Sequence, residues 1–191
     1  MKRKKLKIGL GILTATIAVA GIWLYSTVSV IYNELSSDEV ILKGGDKQAL
    51  IIYQPSKHDT AKNLSMALGE ELQKQGYTVT INFPSEDLTY DIDDYDVIAY
   101  GSPVYASNVS PVLEDYITSL NMKDKKVIVY AVGMLTDETV ELDNMISWIS
   151  KDNAISVIKI SKGEEDVASK FVVDTLNSWK KGNTDLTIHK R

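Results

Sequence analysis

The sequence predicts an α/β protein: a doubly wound five-stranded parallel sheet preceded by one transmembrane helix. Three observations predict it. Five short apolar runs alternate with stretches of helical periodicity between residues 49 and 180. A run of 25 uncharged residues, Ile8 to Tyr32, precedes them and follows a basic cluster. Residues suited to holding a ligand gather where the apolar runs end, which is where sites in parallel sheets lie.

The 191-residue chain has no cysteine, which excludes a disulfide framework, a thiolate metal site and a cysteine nucleophile. His58 and His189 are too few and too far apart for an imidazole metal cluster. Five of the 21 basic residues (Lys2, Arg3, Lys4, Lys5, Lys7) sit in the first seven positions. The rest of the chain therefore sets 16 basic against 26 acidic groups, a net charge of −10. That balance excludes general nucleic-acid binding, which needs cations against phosphates.

As a helix, residues 8–32 reach about 37 Å, more than the roughly 30 Å hydrocarbon core. Trp23, Tyr25 and Tyr32 fall in the second half, suited to an interface. The positive-inside rule then predicts a single-pass cell-membrane protein, with residues 8–32 in the lipid bilayer. Its N-terminus is expected in the cytoplasm and its domain outside. A cleaved signal peptide ending at Ala18-Val19-Ala20 is the rival reading, but the apolar stretch runs twelve residues further. The expected organisation is a basic tip and anchor over 1–33, a linker over 34–47, the α/β domain over 48–181 and a polar tail over 182–191.

Ala49–Tyr53 is a continuous apolar run, as in a strand buried on both faces. A helix follows from about Lys57 to Gln75, with Leu64, Ala67, Leu68 and Leu72 at helical spacing and Gly76 as its stop. Tyr77–Ile81 reads as the second strand and Asp96–Tyr100 as the third, with an acidic loop between them. Ser110-Pro111 opens a second helix with a cap residue and a first-turn proline. Val127–Val132 and Ile155–Ile160 are the fourth and fifth strands. Helices are expected over Asp137–Lys151 and Glu164–Lys180, each with an apolar face.

The carboxyl ends of the first, third and fourth strands are the segments that could carry function. Gln54–Thr60 leads into a helix N-terminus, where unpaired N–H groups and the helix dipole favour an anion. Ser56, Lys57 and Thr60 add hydroxyls and a cation. Ser56-x-x-Asp59 equally reads as a capping box that satisfies the helix start internally. In Gly101–Asn108, Tyr105 could stack on a planar ligand, or the segment is a plain turn with a satellite core tyrosine. Asp93, Asp94 and Asp96 could be imagined as a metal site of a hydrolase, but read more simply as a solvated acidic loop.

Tyr95-Asp96-Val97-Ile98-Ala99-Tyr100-Gly101-Ser102-Pro103-Val104-Tyr105, with Ser110-Pro111 after it, resembles the third-strand signature of flavodoxin-like proteins. The resemblance extends over residues 49–180 in the number and order of elements. It implies strand order 2-1-3-4-5 and flavin mononucleotide (FMN) at the ends of strands one and three. Phosphate-loop roles fall on Gln54, Ser56, Lys57, His58 and Thr60. Ring-loop roles fall on Ser102, Pro103, Val104, Tyr105 and Ala106, with a third contact region at Gly133 and Met134. The chain departs from the family where Lys57-His58-Asp59 stands in place of a glycine-containing segment, and where Ala106 replaces a frequent glycine.

These residues support a membrane-anchored, FMN-binding electron-transfer protein in which no side chain acts as general acid or base. Its partner would be a redox protein or a quinone. The alternatives are a cofactor-free interaction module of the same fold, favoured by Asp59 and the missing glycine, and a quinone or porphyrinogen oxidoreductase.

Overall fold

The computed structural model describes residues 2–136, 139–184 and 187–189, with side chains for 12–26, 29, 31–136 and 139–184. Asp137, Glu138, Asp185, Leu186 and the last two residues, parts of the expected fourth-strand helix and polar tail, lie outside the described residues. The chain forms two units, one up to residue 30 and one from residue 31 onward.

The first unit is helix α1 (Lys2–Val28). Its hydroxyls turn inward on their own backbone, Thr16 donating to the Ile12 carbonyl at 2.9 Å and Ser26 to that of Trp23 at 2.8 Å. The expected transmembrane span is corrected here. Among the described residues, no helix is long and apolar enough to cross a membrane.

The second unit holds strands β1 (Val40–Leu42), β2 (Lys47–Tyr53), β3 (Tyr77–Asn82), β4 (Val97–Pro103), β5 (Lys126–Val132), β6 (Ala154–Ile160) and β7 (Thr187–His189). Helices α2 (Thr60–Lys74), α3 (Pro111–Ser119), α4 (Val140–Ser147) and α5 (Glu165–Lys180) lie between them. The sheet order is β1-β3-β2-β4-β5-β6-β7. The expectation of five parallel strands in the order 2-1-3-4-5 is thus corrected to a seven-stranded mixed sheet. β1 runs antiparallel to β3, pairing Val40 with Ile81 and Leu42 with Val79. β7 adds a parallel edge to β6, pairing Ile188 with Val157. Both additions are three residues long, too short for alternation to show in a sequence window, and both cover edges that would otherwise present unpaired backbone. One lies in the expected linker and the other in the expected tail.

The strands between those edges are parallel throughout. Alternation along β2 sends Ile51 to one face and Leu50 and Ile52 to the other. On the first face Leu64, Leu68, Phe171 and Trp179 of α2 and α5 cover the sheet. On the second, Leu113 and Ile117 of α3 and Leu142 and Met145 of α4 do. Each such side chain contributes about 1.5–3 kcal/mol by leaving water. Gly101 admits the Tyr130 ring, since a Cβ there would lie 2.1 Å from the ring carbon Cζ. Tyr130 in turn shares a 2.6 Å hydrogen bond with Ser65 of α2. After β2 the chain lays β3 on one side, then crosses to lay β4 on the other. The carboxyl ends of β2 and β4 consequently flank the point where strand order reverses.

Candidate functional site

Three loops leave the parallel strands at that point, and the backbone ladder continues into each. Gln54 N–H donates to the Gly101 carbonyl at 2.9 Å, Val104 N–H to Val132 at 2.8 Å and Gly133 N–H to Ile160 at 3.0 Å. The loop bases are therefore extensions of the sheet, which makes them rigid.

The loop after β2 departs from a capping box. Asp59 precedes α2 in the left-handed region (φ 55°) and its side chain caps nothing. Ser56 accepts instead, taking the Ala61 N–H at 3.1 Å. α2 accordingly begins at Thr60 rather than near Lys57. Burial pushes the Tyr53 phenol at the end of β2 above its ordinary value, and the carboxylates of Asp38 and Asp59 add to the shift.

The loop after β4 is a tight two-residue hairpin. Tyr105 and Asn108 exchange both backbone hydrogen bonds at 3.0 Å, with Ala106 (φ 50°) and Ser107 (φ 60°) at the corner. Two successive positive φ angles make this a type I′ geometry, where Asn-Gly is the favoured pair. Ala-Ser there stores strain of about 1–2 kcal/mol per residue. Tyr105 is half-buried and its hydroxyl accepts the Lys57 N–H at 3.3 Å, tying the second loop to the first.

Ser56, His58, Thr60, Pro103, Val104, Tyr105, Val132, Gly133, Met134 and Lys162 line one cavity of about 360 Å³. Eight of the twelve residues expected to bind a cofactor are thereby brought together. The other four are elsewhere. Gln54 and Ser102 are buried beneath the loops, Lys57 is exposed with its backbone on Tyr105, and Ala106 is exposed at the hairpin corner. Val132 and Lys162 were not expected. Lys162 lies two residues past β6, so extending the strand-end rule to the fifth apolar run would have found it. The aspartates of the acidic loop lie at the opposite end of the sheet. Asp93 pairs with Lys125 at 2.9 Å, and Asp96 accepts the Gln48 N–H at 2.9 Å.

The cavity has apolar walls (Val104, Val132, Met134), an aromatic ring, three hydrogen-bonding side chains next to a fifteen-residue helix and one ammonium. That combination suits a flat, partly apolar ligand with an anionic group. A family model described as a flavodoxin domain matches residues 50–187. The chain belongs to the flavodoxin domain family.

Solved structures agree with that assignment in fold. Flavodoxin 2 from Bacillus cereus is 15% identical with TM-score 0.53, over 69% of this chain and 99% of that one. A flavodoxin from Streptococcus pneumoniae TIGR4 is 18% identical with TM-score 0.52, over 69% of this chain and 99% of that one. Rubredoxin oxygen:oxidoreductase from Desulfovibrio gigas is 16% identical with TM-score 0.57, over 72% of this chain and 37% of that one. No curated protein matches the chain. The flavodoxin domain's third loop is supported from below by an ion pair between Lys159 of β6 and Glu141 of α4, 2.9 Å apart and only 2% and 3% exposed. A Cβ on Gly133 would meet Lys159 Cε at 3.2 Å and Val104 Cβ at 3.4 Å, so the glycine lets the second and third loops close on that pair.

Proposed function

We propose that this flavodoxin domain holds FMN in the cavity at the ends of β2, β4 and β5 and takes part in electron transfer. The observation that carries the reading is the convergence of three strand-end loops on one cavity of about 360 Å³ at the reversal point. Ser56, Thr60 and the start of α2 would hold the phosphate, through hydroxyls and N–H groups favoured by the helix dipole. Tyr105, Val104 and Met134 would hold the ring, Tyr105 by stacking. Bound FMN would supply the electron-carrying ring system. The chain's own part is to bind it, exclude water from one side and set the surrounding charge. Lys162 brings a positive charge to an otherwise acidic body.

Titration with FMN, followed by quenching of flavin fluorescence, tests the reading. Tyr105→Ala is expected to weaken binding by about 1–3 kcal/mol, the range for losing an aromatic stack. Asp59→Gly is expected to strengthen it, because a carboxylate leaves the phosphate position and a left-handed residue becomes glycine. A cofactor-free interaction module is the second reading, favoured by the Ser56 hydroxyl being already committed to Ala61 N–H. It predicts no binding by the parent or by Asp59→Gly.

A further inference from the structure

We propose that residues 31–39 form a positioning strap for this site, so that seating of the strap and filling of the cavity are thermodynamically linked. The inference rests on the cavity being the FMN site. It starts from the two expected cofactor residues that lie buried beneath the loops, Gln54 and Ser102.

Both belong to a buried node with Ser110. Ser110 N–H donates to Ser102 Oγ at 2.9 Å, closing the base of the second loop, and Ser110 Oγ accepts from Leu113 N–H at 3.2 Å, starting α3. The Ser110 hydroxyl donates to the Ile31 carbonyl at 2.8 Å and lies 3.2 Å from Gln54 Oε1. Gln54 Nε2 donates to the Asn33 carbonyl at 3.0 Å. The two residues that begin the first loop and end the second are thus held by carbonyls of the strap. Ile31 itself is fully buried.

From there the strap crosses the carboxyl ends of the strands to the far edge. The Glu34 carboxylate accepts the Glu86 N–H at 2.9 Å. Asn82, at the end of β3, donates to Ser37 Oγ at 2.8 Å and accepts the Asp38 N–H at 3.0 Å. The chain then enters β1. None of residues 31–39 lines the cavity.

The node has two arrangements. A serine hydroxyl has one proton, and with the strap seated it serves Ile31, the shorter contact. If the strap lifts, the proton turns to Gln54 Oε1 while the Gln54 amide loses Asn33, so the side chain at the root of the first loop must be re-aimed. Anything that favours the seated arrangement favours the loop geometry that forms the cavity. By reciprocity, a ligand that needs that geometry favours the seated strap.

Hydrogen exchange of the full chain with and without saturating FMN, together with FMN titration of the parent and of Ile31→Ala, tests the linkage. FMN is expected to slow exchange at amides 32–39 about tenfold, and Ile31→Ala to weaken FMN by a similar factor. Should Ile31→Ala not fold, Ile31→Val replaces it, with a smaller shift in the same direction. Unchanged exchange in the strap at saturation, or unchanged affinity in the folded variant, would overturn the proposal. If the parent binds no FMN, the functional reading fails separately. The strap is then judged without ligand: Ile31→Ala must speed exchange at amides 56–59 and 104–109, and equal rates would refute it.

Discussion

Two buried polar constructions lie beneath the cavity, and they are built on different principles. Under the first and second loops, Gln54, Ser102 and Ser110 form a neutral node whose outermost acceptors are backbone carbonyls of the strap. Under the third loop, Lys159 and Glu141 form a charged pair drawn from a strand and a helix. A neutral hydroxyl can exchange one acceptor for another at modest cost, whereas a buried ammonium holds its carboxylate or the fold suffers. The first construction is therefore adjustable and the second fixed.

Breaking the charged pair should have the largest effect. Glu141→Gln removes the carboxylate bonded to the buried Lys159 ammonium, and is expected to destabilise the protein by about 3–5 kcal/mol in urea unfolding. A loss below about 1 kcal/mol would mean that water reaches the pair and the contrast is void. Ser110→Ala removes the donor to Ile31 and the acceptor for Leu113 N–H, at an expected cost of about 1–3 kcal/mol. The neutral node should thus prove clearly weaker than the pair.

The hairpin sharpens the comparison in the opposite direction. Ala106→Gly relieves one left-handed residue at a corner whose side chain is exposed. It is expected to raise stability by about 1 kcal/mol, or roughly 2–4 °C in Tm. The smallest effect belongs to Glu34. The Ser85 hydroxyl and the Glu86 N–H hold its carboxyl below its ordinary value of 4.5, so its contribution is complete above that pH and lost as pH falls through the lower folded value. Protease cleavage within 31–39 should therefore rise in that acid range in the parent. Glu34→Gln should abolish that part of the pH dependence.

How much of this the sequence displayed depends on burial. β2, β4 and β5 were legible because strands covered on both faces read as near-continuous apolar runs, and β6 because Ser156 and Lys159 are the two polar residues among its seven. β1 and β7 were not, since three residues carry no period. Ile31 was hidden for the opposite reason. It is the last residue but one of the 25-residue uncharged run and reads as part of it, although its carbonyl accepts the Ser110 hydroxyl. Ser56-x-x-Asp59 has the spacing of a capping box, but the backbone at Asp59 turns left-handed and the bond goes from Ala61 to Ser56. The strand-end rule led to eight residues of the cavity lining and, at Gln54, Lys57, Ser102 and Ala106, to residues outside it; Lys162 was missed because the rule was not extended to the fifth apolar run. The Lys159–Glu141 pair had no signal, because eighteen residues separate two charges that only the crossover brings together.

The most direct test of the central claim is the visible absorption spectrum of the purified full chain after incubation with excess FMN and gel filtration. The protein is expected to be yellow, to retain one FMN per chain and to release it on denaturation. A colourless protein, with no retention and no quenching at FMN concentrations on the order of millimolar, would contradict it.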